Sequence, residues 1–174
     1  KDDVDNIIKA FSVISSEFQR LNFYLFGGSS KETKDKLEKL IFKLGLDNRV
    51  FLKGRISGPE VAKTLQKAKV LVSSQPNTVR AKGGFPTKLG EYLASGIPAL
   101  FTDVGENSKY VKNGVHLFFV KAENSFLYAL KLREILDNYD ESLKIAKKGK
   151  EFVYQNYSHI IQGKYLSDFL NNNN

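Results

Sequence analysis

The chain has 174 residues, of which 41% are hydrophobic, and this is enough material for one domain with a sizeable core. The absence of cysteine excludes disulfides and thiolate metal sites, and with only two histidines we expect no bound metal. No apolar run reaches the roughly 18 residues of a membrane span, and the first residues form no signal segment, so we expect a cytoplasmic protein.

The formal net charge of +8 is compatible with nucleic acid, anionic lipid or an anionic small molecule as partner, and charge alone does not choose among them. Nucleotide phosphates fit this charge, and a peripheral contact with anionic lipid at the inner face of the membrane is an alternative. Many lysines alternate with apolar residues at 31–43 and 144–150, which favours a solvated helix face. We expect no nucleic-acid partner, because the aromatic residues that would stack on bases fall at predicted core positions, namely Phe11, Phe18, Phe26, Phe51 and Phe101.

Predicted helices and strands alternate along the chain. Apolar residues recur at helical spacing from Asp5, and residues 21–26 form a short apolar strand that ends at Gly27-Gly28. Ser29 and Glu32 have the spacing of a capping box at the start of the next helix. Further strands are predicted at 50–52, 70–72, 98–101 and 117–120, and further helices from 58, at 87–95, at 107–112, and twice more after residue 120.

Short strands that are apolar on both faces and alternate with helices are typical of an α/β fold with a Rossmann-like, doubly wound parallel sheet. Ligands of such sheets bind beyond the carboxyl ends of the strands. In this chain those ends are Gly27-Gly28, 73–74 and 103–106, so the loops that follow should converge on one crevice. The irregular stretch from 75 to 86 is long enough to suggest a functional loop.

The segment 83–98 carries the clearest chemical signal in the chain. Gly83 and Gly84 permit a close approach of the backbone to a ligand. A helix that starts at Pro86 or Thr87 directs its unpaired N–H groups into the crevice. An anion is favoured at that position.

Lys88 and Glu91 lie on one side of this helix. Lys88 falls in the first turn, where a cation opposes the helix dipole unless an anion binds beside it. Glu91, three residues further on, is a carboxylate that can accept hydrogen bonds from the two hydroxyls of a ribose. The alternative, equally good on spacing alone, is an exposed Lys88–Glu91 ion pair worth under about 1 kcal/mol.

Five segments of the chain stand in an order and spacing that are specific as a set. They are Lys1-Asp2-Asp3-Val4 before a helix, Leu25-Phe26-Gly27-Gly28, residues 44–50, residues 85–98, and Val104-Gly105-Glu106 followed by Asn113-Gly114. On these segments the chain from Lys1 to Val120 resembles the carboxyl-terminal, donor-binding domain of glycosyltransferases with the GT-B fold. It looks most similar to glycosyltransferase family 4.

The resemblance implies roles for individual residues. Glu91 matches the second glutamate of the family's Glu-x7-Glu motif, which holds the nucleotide ribose, whereas Gly83 occupies the place of the first, which contacts the donor sugar. Side chains that could replace the missing contact are those of Gln75, Asn77, Arg80 and Lys82. Lys88 and Glu91 are the candidate catalytic residues. The other implied donor-binding residues are Lys1 at the diphosphate, Arg55 near the base, Gly27 at a strand end, and the backbone around Gly83, Gly84, Phe85, Pro86 and Thr87.

The function that the resemblance implies is donor binding in a retaining glycosyltransferase. Such an enzyme transfers a sugar from a nucleoside diphosphate sugar, such as a UDP- or GDP-sugar, to a glycan or a lipid-linked acceptor, without an obligatory metal or cofactor. Two alternatives stay open, namely a non-catalytic domain that binds nucleotide sugars or anions, and half of a sugar-nucleotide epimerase. Gly83 is the feature that favours the binding-only alternative.

The family's sheet begins with a strand that precedes the position of Lys1. We therefore expect residues 1–170 to be one nucleotide-sugar-binding domain that lacks its first strand and leaves ladder edges exposed. We also expect it to be a fragment of a two-domain enzyme, inactive without its acceptor domain. Residues 171–174 are predicted to be a disordered tail.

Three further signals have structural interpretations, and for the third a contact with the donor is equally open. Asp3 and Asp5 resemble a metal-binding motif but open a helix, where they complement the dipole. His116 and His159 lie outside the matched segments, so we expect structural roles for both. Glu106 either touches the donor or caps the helix that follows it.

Overall fold

The computed structural model of the chain describes residues 2–84 and 87–172, so three predicted site residues, Lys1, Phe85 and Pro86, lie outside the described residues. The elements are, in order, α1 (Val4–Ile14), β1 (Phe23–Phe26), α2 (Lys31–Lys43), β2 (Val50–Gly54), α3 (Gly58–Leu65), β3 (Leu71–Ser73), α4 (Val79–Lys82), α5 (Thr87–Ser95), β4 (Ala99–Thr102), α6 (Asn107–Tyr110), β5 (Phe118–Val120), α7 (Ser125–Asp137), α8 (Tyr139–Tyr157) and α9 (His159–Asn172).

Two parallel sheets form the centre of the fold. β1 pairs with β2, and the second sheet has the strand order β3-β4-β5. Within the part of the chain that the structure describes, β1 and β3 each pair along one edge only. The prediction of a parallel α/β fold is confirmed. Among the described residues, the facing edges of the two sheets therefore have no strand partner.

The main core joins the two sheets. Apolar residues of α1 recur three or four positions apart, and Ile8, Phe11 and Ile14 are buried with α7 and with inward residues of both sheets, such as Val50 and Leu100. Burial of an aliphatic or aromatic side chain of this size contributes about 1.5–3 kcal/mol. The packing of α1 on α7 therefore holds the β1-β2 pair against the other three strands.

A second core lies under α5. Leu89 and Leu93, one turn apart, are buried against Phe101 of β4 and Phe119 of β5. All four residues of β4 are buried, as expected for the middle strand of a covered sheet. This packing fixes the rotation of α5, so that its other face is left for solvent or a ligand.

Several local predictions need correction. The first strand begins at Phe23, because residues 15–21 form turns after α1. Ser30, not Ser29, caps α2, and its Oγ accepts the N–H of Thr33 at 3.2 Å. Glu32 therefore makes no capping box and instead accepts a hydrogen bond from Lys36.

Other differences concern the loop before α5 and the end of the chain. The predicted irregular stretch contains the short helix α4. Three helices, not two, follow β5 in the described residues, and the last of them includes Asn171 and Asn172 of the predicted tail. Phe26 is 45% exposed, so the prediction that it lies in the core is wrong, whereas Phe11 and Phe101 are buried as expected. No described helix is long and apolar enough to cross a membrane.

Candidate functional site

Gly27 and Arg55, two predicted donor-binding residues, meet at the carboxyl ends of β1 and β2. The N–H of Gly27 donates to the carbonyl of Gly54 at 2.8 Å. The Arg55 side chain lies over the neighbouring Gly28, where an added Cβ would stand 2.3 Å from Arg55 Nε. Glycine at position 28 is therefore what allows the guanidinium to approach the strand end.

Lys88 and Glu91 project from the face of α5 that is turned away from the core, and both are exposed, as is Thr87 at the start of the helix. The first N–H groups of α5 have no carbonyl partner within the helix itself. These groups, rather than those of the preceding glycines, are the backbone donors that an anion would meet. The N–H of Gly83 donates to Val79 O at 3.1 Å and that of Gly84 to Ala81 O at 3.4 Å, which closes α4.

Lys88 makes an ion pair with Asp2 and not with Glu91. Its Nζ lies 2.9 Å from Asp2 Oδ2, with 48% and 37% of the two side chains exposed. The next residue, Asp3, donates its N–H to Ser74 O at 2.9 Å, just beyond β3. The segment before α1 thus bridges the end of β3 and the first turn of α5. It places a carboxylate where the helix dipole and the lysine both favour an anion.

Glu91 is an unpartnered carboxylate, since it makes no hydrogen bond or ion pair with any residue that the structure describes. Its neighbour Tyr92 packs edge-on against Phe101 at 5.4 Å between ring centroids. Burial, together with the negative charges of Glu91 and Asp2, raises the pKa of Tyr92 to about 12. Glu91 is therefore free to accept hydrogen bonds from a ligand, on a helix that the core holds in place.

A depression of about 510 Å³ opens beyond the carboxyl ends of β3, β4 and β5. It is lined by the loop after β4 (residues 103–106), by residues 121–123 after β5, and by Asn77 and Lys82. Gly105, with a φ of +65°, lets the loop after β4 press against α4, since a Cβ there would lie 2.8 Å from Ala81 O. The depression therefore adjoins the chain segment that leads into Gly83 and Gly84.

Glu106 is engaged at the rim of this depression. Its carboxylate accepts a hydrogen bond from Lys109 Nζ at 2.7 Å and another from the hydroxyl of Tyr110 at 3.3 Å. The hydrogen bond and the charge of Lys109 lower the pKa of Glu106. It stands at the N-cap position of α6 but makes no capping hydrogen bond through its side chain. The capping role predicted for Glu106 is therefore not seen, and its contact with the donor stays a prediction.

Buried polar groups hold the strand ends in place. The hydroxyl of Thr102 accepts the N–H of Gln75 at 2.8 Å, and that of Ser74 accepts a hydrogen bond from Asn6 at 3.2 Å. The hydroxyl of Tyr128, on α7, lies 3.0 Å from Leu100 O, and burial raises its pKa well above the usual range. These contacts join distant parts of the chain, and no sequence pattern indicates them.

His116 has a structural environment, as predicted. It stacks on Phe152 at 4.2 Å between ring centroids, and its Nδ1 accepts the N–H of Lys112 at 3.2 Å. His159 is exposed at the first residue of α9. Residues 2–84 and 87–172 contain no group of three or more histidine, aspartate or glutamate side chains that could hold a metal ion.

The known proteins to which this chain is similar are glycosyltransferases. The family described as Glycosyl transferases group 1 matches residues 1–152. The poly(ribitol-phosphate) alpha-N-acetylglucosaminyltransferase of Staphylococcus aureus is 24% identical over 168 residues, which are 95% of this chain and 32% of that protein. The chain spans between 32% and 38% of the length of the curated relatives that it matches.

Two of the solved structures that share the fold show the extent of the match. The Anabaena protein HepE, crystallised with UDP, has a TM-score of 0.82 at 18% identity, over 96% of this chain and 44% of that one. The C-terminal domain of a glycosyl transferase group 1 family protein, LpcC, from Francisella tularensis has a TM-score of 0.79 at 21% identity, over 90% of this chain and 80% of that one. With the family match over most of its length, the chain belongs to the group 1 glycosyltransferases, and it has the fold of their GT-B carboxyl-terminal domain.

Proposed function

We propose that this chain binds the donor in a retaining glycosyltransferase that transfers a sugar from a nucleoside diphosphate sugar to a glycan or a lipid-linked acceptor. The observation that carries the proposal is that an unpartnered carboxylate, Glu91, and a lysine in the first turn, Lys88, lie on the same helix beyond the strand ends. A relative is named as an N-acetylglucosaminyltransferase, and a structural neighbour was crystallised with UDP-glucose. UDP is therefore the first nucleotide to test.

The proposed roles follow from the chemistry of the groups. Glu91 accepts hydrogen bonds from the ribose hydroxyls, and Lys88 and the first N–H groups of α5 hold the diphosphate, which replaces the Asp2 carboxylate. The leaving diphosphate gains negative charge as the glycosidic bond breaks. Groups that stabilise this charge more in the transition state than in the bound donor lower the barrier.

We assign contact with the base to Arg55, which lies over Gly28 at the end of β1 with Gly27 beside it. Lys1 is proposed as a second cation at the diphosphate on the strength of the family resemblance. The retention of anomeric configuration and the acceptor class rest on the same resemblance. The proposal needs no metal ion.

Calorimetric titration of the complete protein with UDP, GDP and ADP tests donor binding. We expect one diphosphate to bind, and Glu91→Ala to weaken that binding about tenfold or more, because a hydrogen bond to a charged group is worth about 1.5–3 kcal/mol. Glu38→Ala, an exposed carboxylate on α2, is the matched control and should bind like the parent. No binding of any diphosphate would refute the proposal, and unchanged binding by Glu91→Ala would remove Glu91 from the site.

A binding domain without transfer activity is the second candidate. It is favoured by Gly83, which has no side chain to contact a sugar and whose N–H is already bonded to Val79 O. Release of UDP from UDP-sugars, with and without glycan acceptors, separates the two functions. Tight donor binding with no transfer, hydrolysis or epimerisation would favour the second candidate.

A further inference from the structure

The depression beyond β4 and β5 is close to the proposed phosphate site. Lys82, which lines the depression, is the last residue of α4 and directly precedes Gly83. The depression also includes Asp103 after β4, and β4 pairs with β3, beyond whose end Ser74 O accepts the N–H of Asp3. The residue before Asp3 is Asp2, which pairs with Lys88. The depression and the start of α5 are therefore neighbouring parts of one crevice.

Four charged side chains of the depression are available to a ligand. Asp103, Glu123, Lys82 and Lys121 line it, and none makes a side-chain hydrogen bond or ion pair with the described residues. Two further charged side chains line the depression, Glu106 and Lys109, and they form an ion pair with each other at 2.7 Å. The free charges are thus two carboxylates and two ammonium groups, and their sum is zero.

Such a lining suits a neutral ligand with many hydroxyls. Ionised carboxylates only accept hydrogen bonds and ammonium groups only donate them, whereas each hydroxyl does both. A volume of about 510 Å³ lies within the range of about 300–1,000 Å³ that is usual for small-molecule sites. An anionic ligand would gain from Lys82 and Lys121 but would meet the unpaired Asp103 and Glu123.

Glu123 also has an unusual backbone conformation. Its φ of +59° lies in the left-handed region, and it is the one non-glycine residue with a positive φ among those described. Residues other than glycine and asparagine adopt this region at an energetic cost, and such residues concentrate at functional sites. The unfavourable backbone conformation of Glu123 therefore supports a functional role for its carboxylate in the depression.

We propose that this depression receives the uncharged glycosyl unit of the donor, with Asp103 and Glu123 accepting hydrogen bonds from its hydroxyls. The inference rests on the proposed function, since it assigns the sugar part of the same donor. It supplies polar contacts at a place next to Gly83, which has no side chain to make them.

The test compares the affinities of the complete protein for UDP and for UDP-glucose, measured by calorimetry. In Asp103→Asn and Glu123→Gln, we expect UDP-glucose to bind about tenfold more weakly while UDP binds unchanged, since each change removes a charged acceptor. Glu151→Gln is the matched control, because Glu151 lines a different depression, beside α8. Its affinity for both ligands should equal that of the parent.

A second variant separates the loss of the carboxylate from a folding defect. Glu123→Gly suits the left-handed backbone, so its melting temperature should be no lower than that of the parent. Its affinity for UDP-glucose should nevertheless fall as in Glu123→Gln. UDP-glucuronate, whose sugar carries a carboxylate in place of the C6 hydroxymethyl group, should bind more weakly than UDP-glucose to the parent protein.

The outcomes distinguish the two proposals. If none of UDP, GDP and ADP binds, the proposed function fails and this inference fails with it. If UDP binds but the carboxylate variants keep the parent ratio of UDP-glucose to UDP affinity, only this inference is overturned. Tighter binding of UDP-glucuronate than of UDP-glucose, or variants that change only the KM for an acceptor, would also overturn it.

Discussion

Lys88 donates a hydrogen bond to the carboxylate of Asp2, a residue 86 positions earlier in the chain, at 2.9 Å. This contact has a structural role and a role in the proposed donor site. It ties the segment before α1 to the first turn of α5, and it occupies the ammonium group that we propose for the diphosphate of a donor. A bound diphosphate and Asp2 therefore compete for the same cation.

Removing the competing carboxylate should strengthen nucleotide binding. In Asp2→Asn we expect the Kd for UDP to fall about 1.5- to 5-fold, because an exposed ion pair is worth about 0.2–1 kcal/mol. The gain should shrink at high salt, which screens exposed charges. Calorimetry at two salt concentrations measures both effects, and Asp5→Asn, in the first turn of α1, is the control. Weaker UDP binding by Asp2→Asn would contradict the competition.

Gly149 should not tolerate alanine, although it lies inside a helix. A Cβ at this position of α8 would stand 2.2 Å from the carbonyl oxygen of His116 and 2.7 Å from Leu93 Cδ2. We expect Gly149→Ala to lower the free energy of unfolding by about 1–3 kcal/mol, as overpacked substitutions do. Urea denaturation measures this change.

Gly163 provides the matched control, since a Cβ there would meet no atom within 4 Å. In this position of α9, alanine should raise the local helix stability by about 0.5–1 kcal/mol through its higher helix propensity. Equal effects of Gly149→Ala and Gly163→Ala would mean that α8 does not pack as closely as the structure shows.

Arg49 should be a main contributor to the stability of the turn after α1. Its guanidinium donates to Phe18 O at 2.8 Å, to Leu21 O at 3.1 Å through Nε, and to Ser15 O at 3.2 Å. Arg49→Ala removes the side-chain donor of all three carbonyls, of which only Phe18 O keeps a backbone donor among the described residues, the N–H of Leu21, and should cost about 2–3 kcal/mol of unfolding free energy. Arg49→Lys should recover only part of this, because an ammonium lacks the planar fork.

The control for Arg49 is Arg20→Ala, an exposed arginine two residues past Phe18. It should change the unfolding free energy by no more than about 0.5 kcal/mol, as is usual for surface substitutions. If urea denaturation gave Arg49→Ala the same small effect, the turn would be stable without its guanidinium.

The stability of the fold should depend on the protonation of His116. Burial, and the positive charge of Lys112, lower the pKa of this imidazole below its usual 6.5, so the folded state binds fewer protons than the unfolded state. Its contribution to stability is therefore full above pH 6.5 and is lost as the pH falls through the folded-state pKa. Protonation of Nδ1 would also remove the acceptor for the Lys112 N–H.

Urea denaturation at pH 8, at pH 5 and at about three pH values between them tests this expectation, because these points define the slope of the unfolding free energy against pH. The parent should lose more stability across this range than His116→Phe, which keeps an aromatic ring against Phe152 but has no imidazole to titrate. Parallel pH profiles for the two proteins would show that His116 does not titrate differently on folding.

Local patterns predicted most of the elements. The spacing of Ile7, Phe11 and Ile14 indicated α1, and the alternation of short apolar strands with helices indicated parallel sheets. These predictions succeed because the spacing of apolar residues within a segment indicates whether that segment forms a helix or a strand. The errors fell where adjacent residues are equally suited to one role, as with Ser29 and Ser30, of which Ser30 caps α2.

The exposure of Phe26 shows where local patterns stop. Its place in an apolar strand predicted a core position, yet only the alternate residues of β1 face the main core. Whether the second face of a strand is covered depends on helices elsewhere in the chain. A short apolar run is compatible with a strand that is covered on one face or on both, so the sequence alone does not decide whether Phe26 is buried.

The amino-acid sequence by itself determined the fold class, the family and the approximate ranges of most helices and strands, because these follow from short-range spacing and from segments in a specific order. Only the tertiary structure decided which charge meets Lys88, which carbonyls Arg49 satisfies, and that Asp103 and Glu123 share one depression. These contacts join residues far apart in the chain. Hydrophobic periodicity reports which face of a segment is buried, but it does not report which distant side chain meets the exposed face.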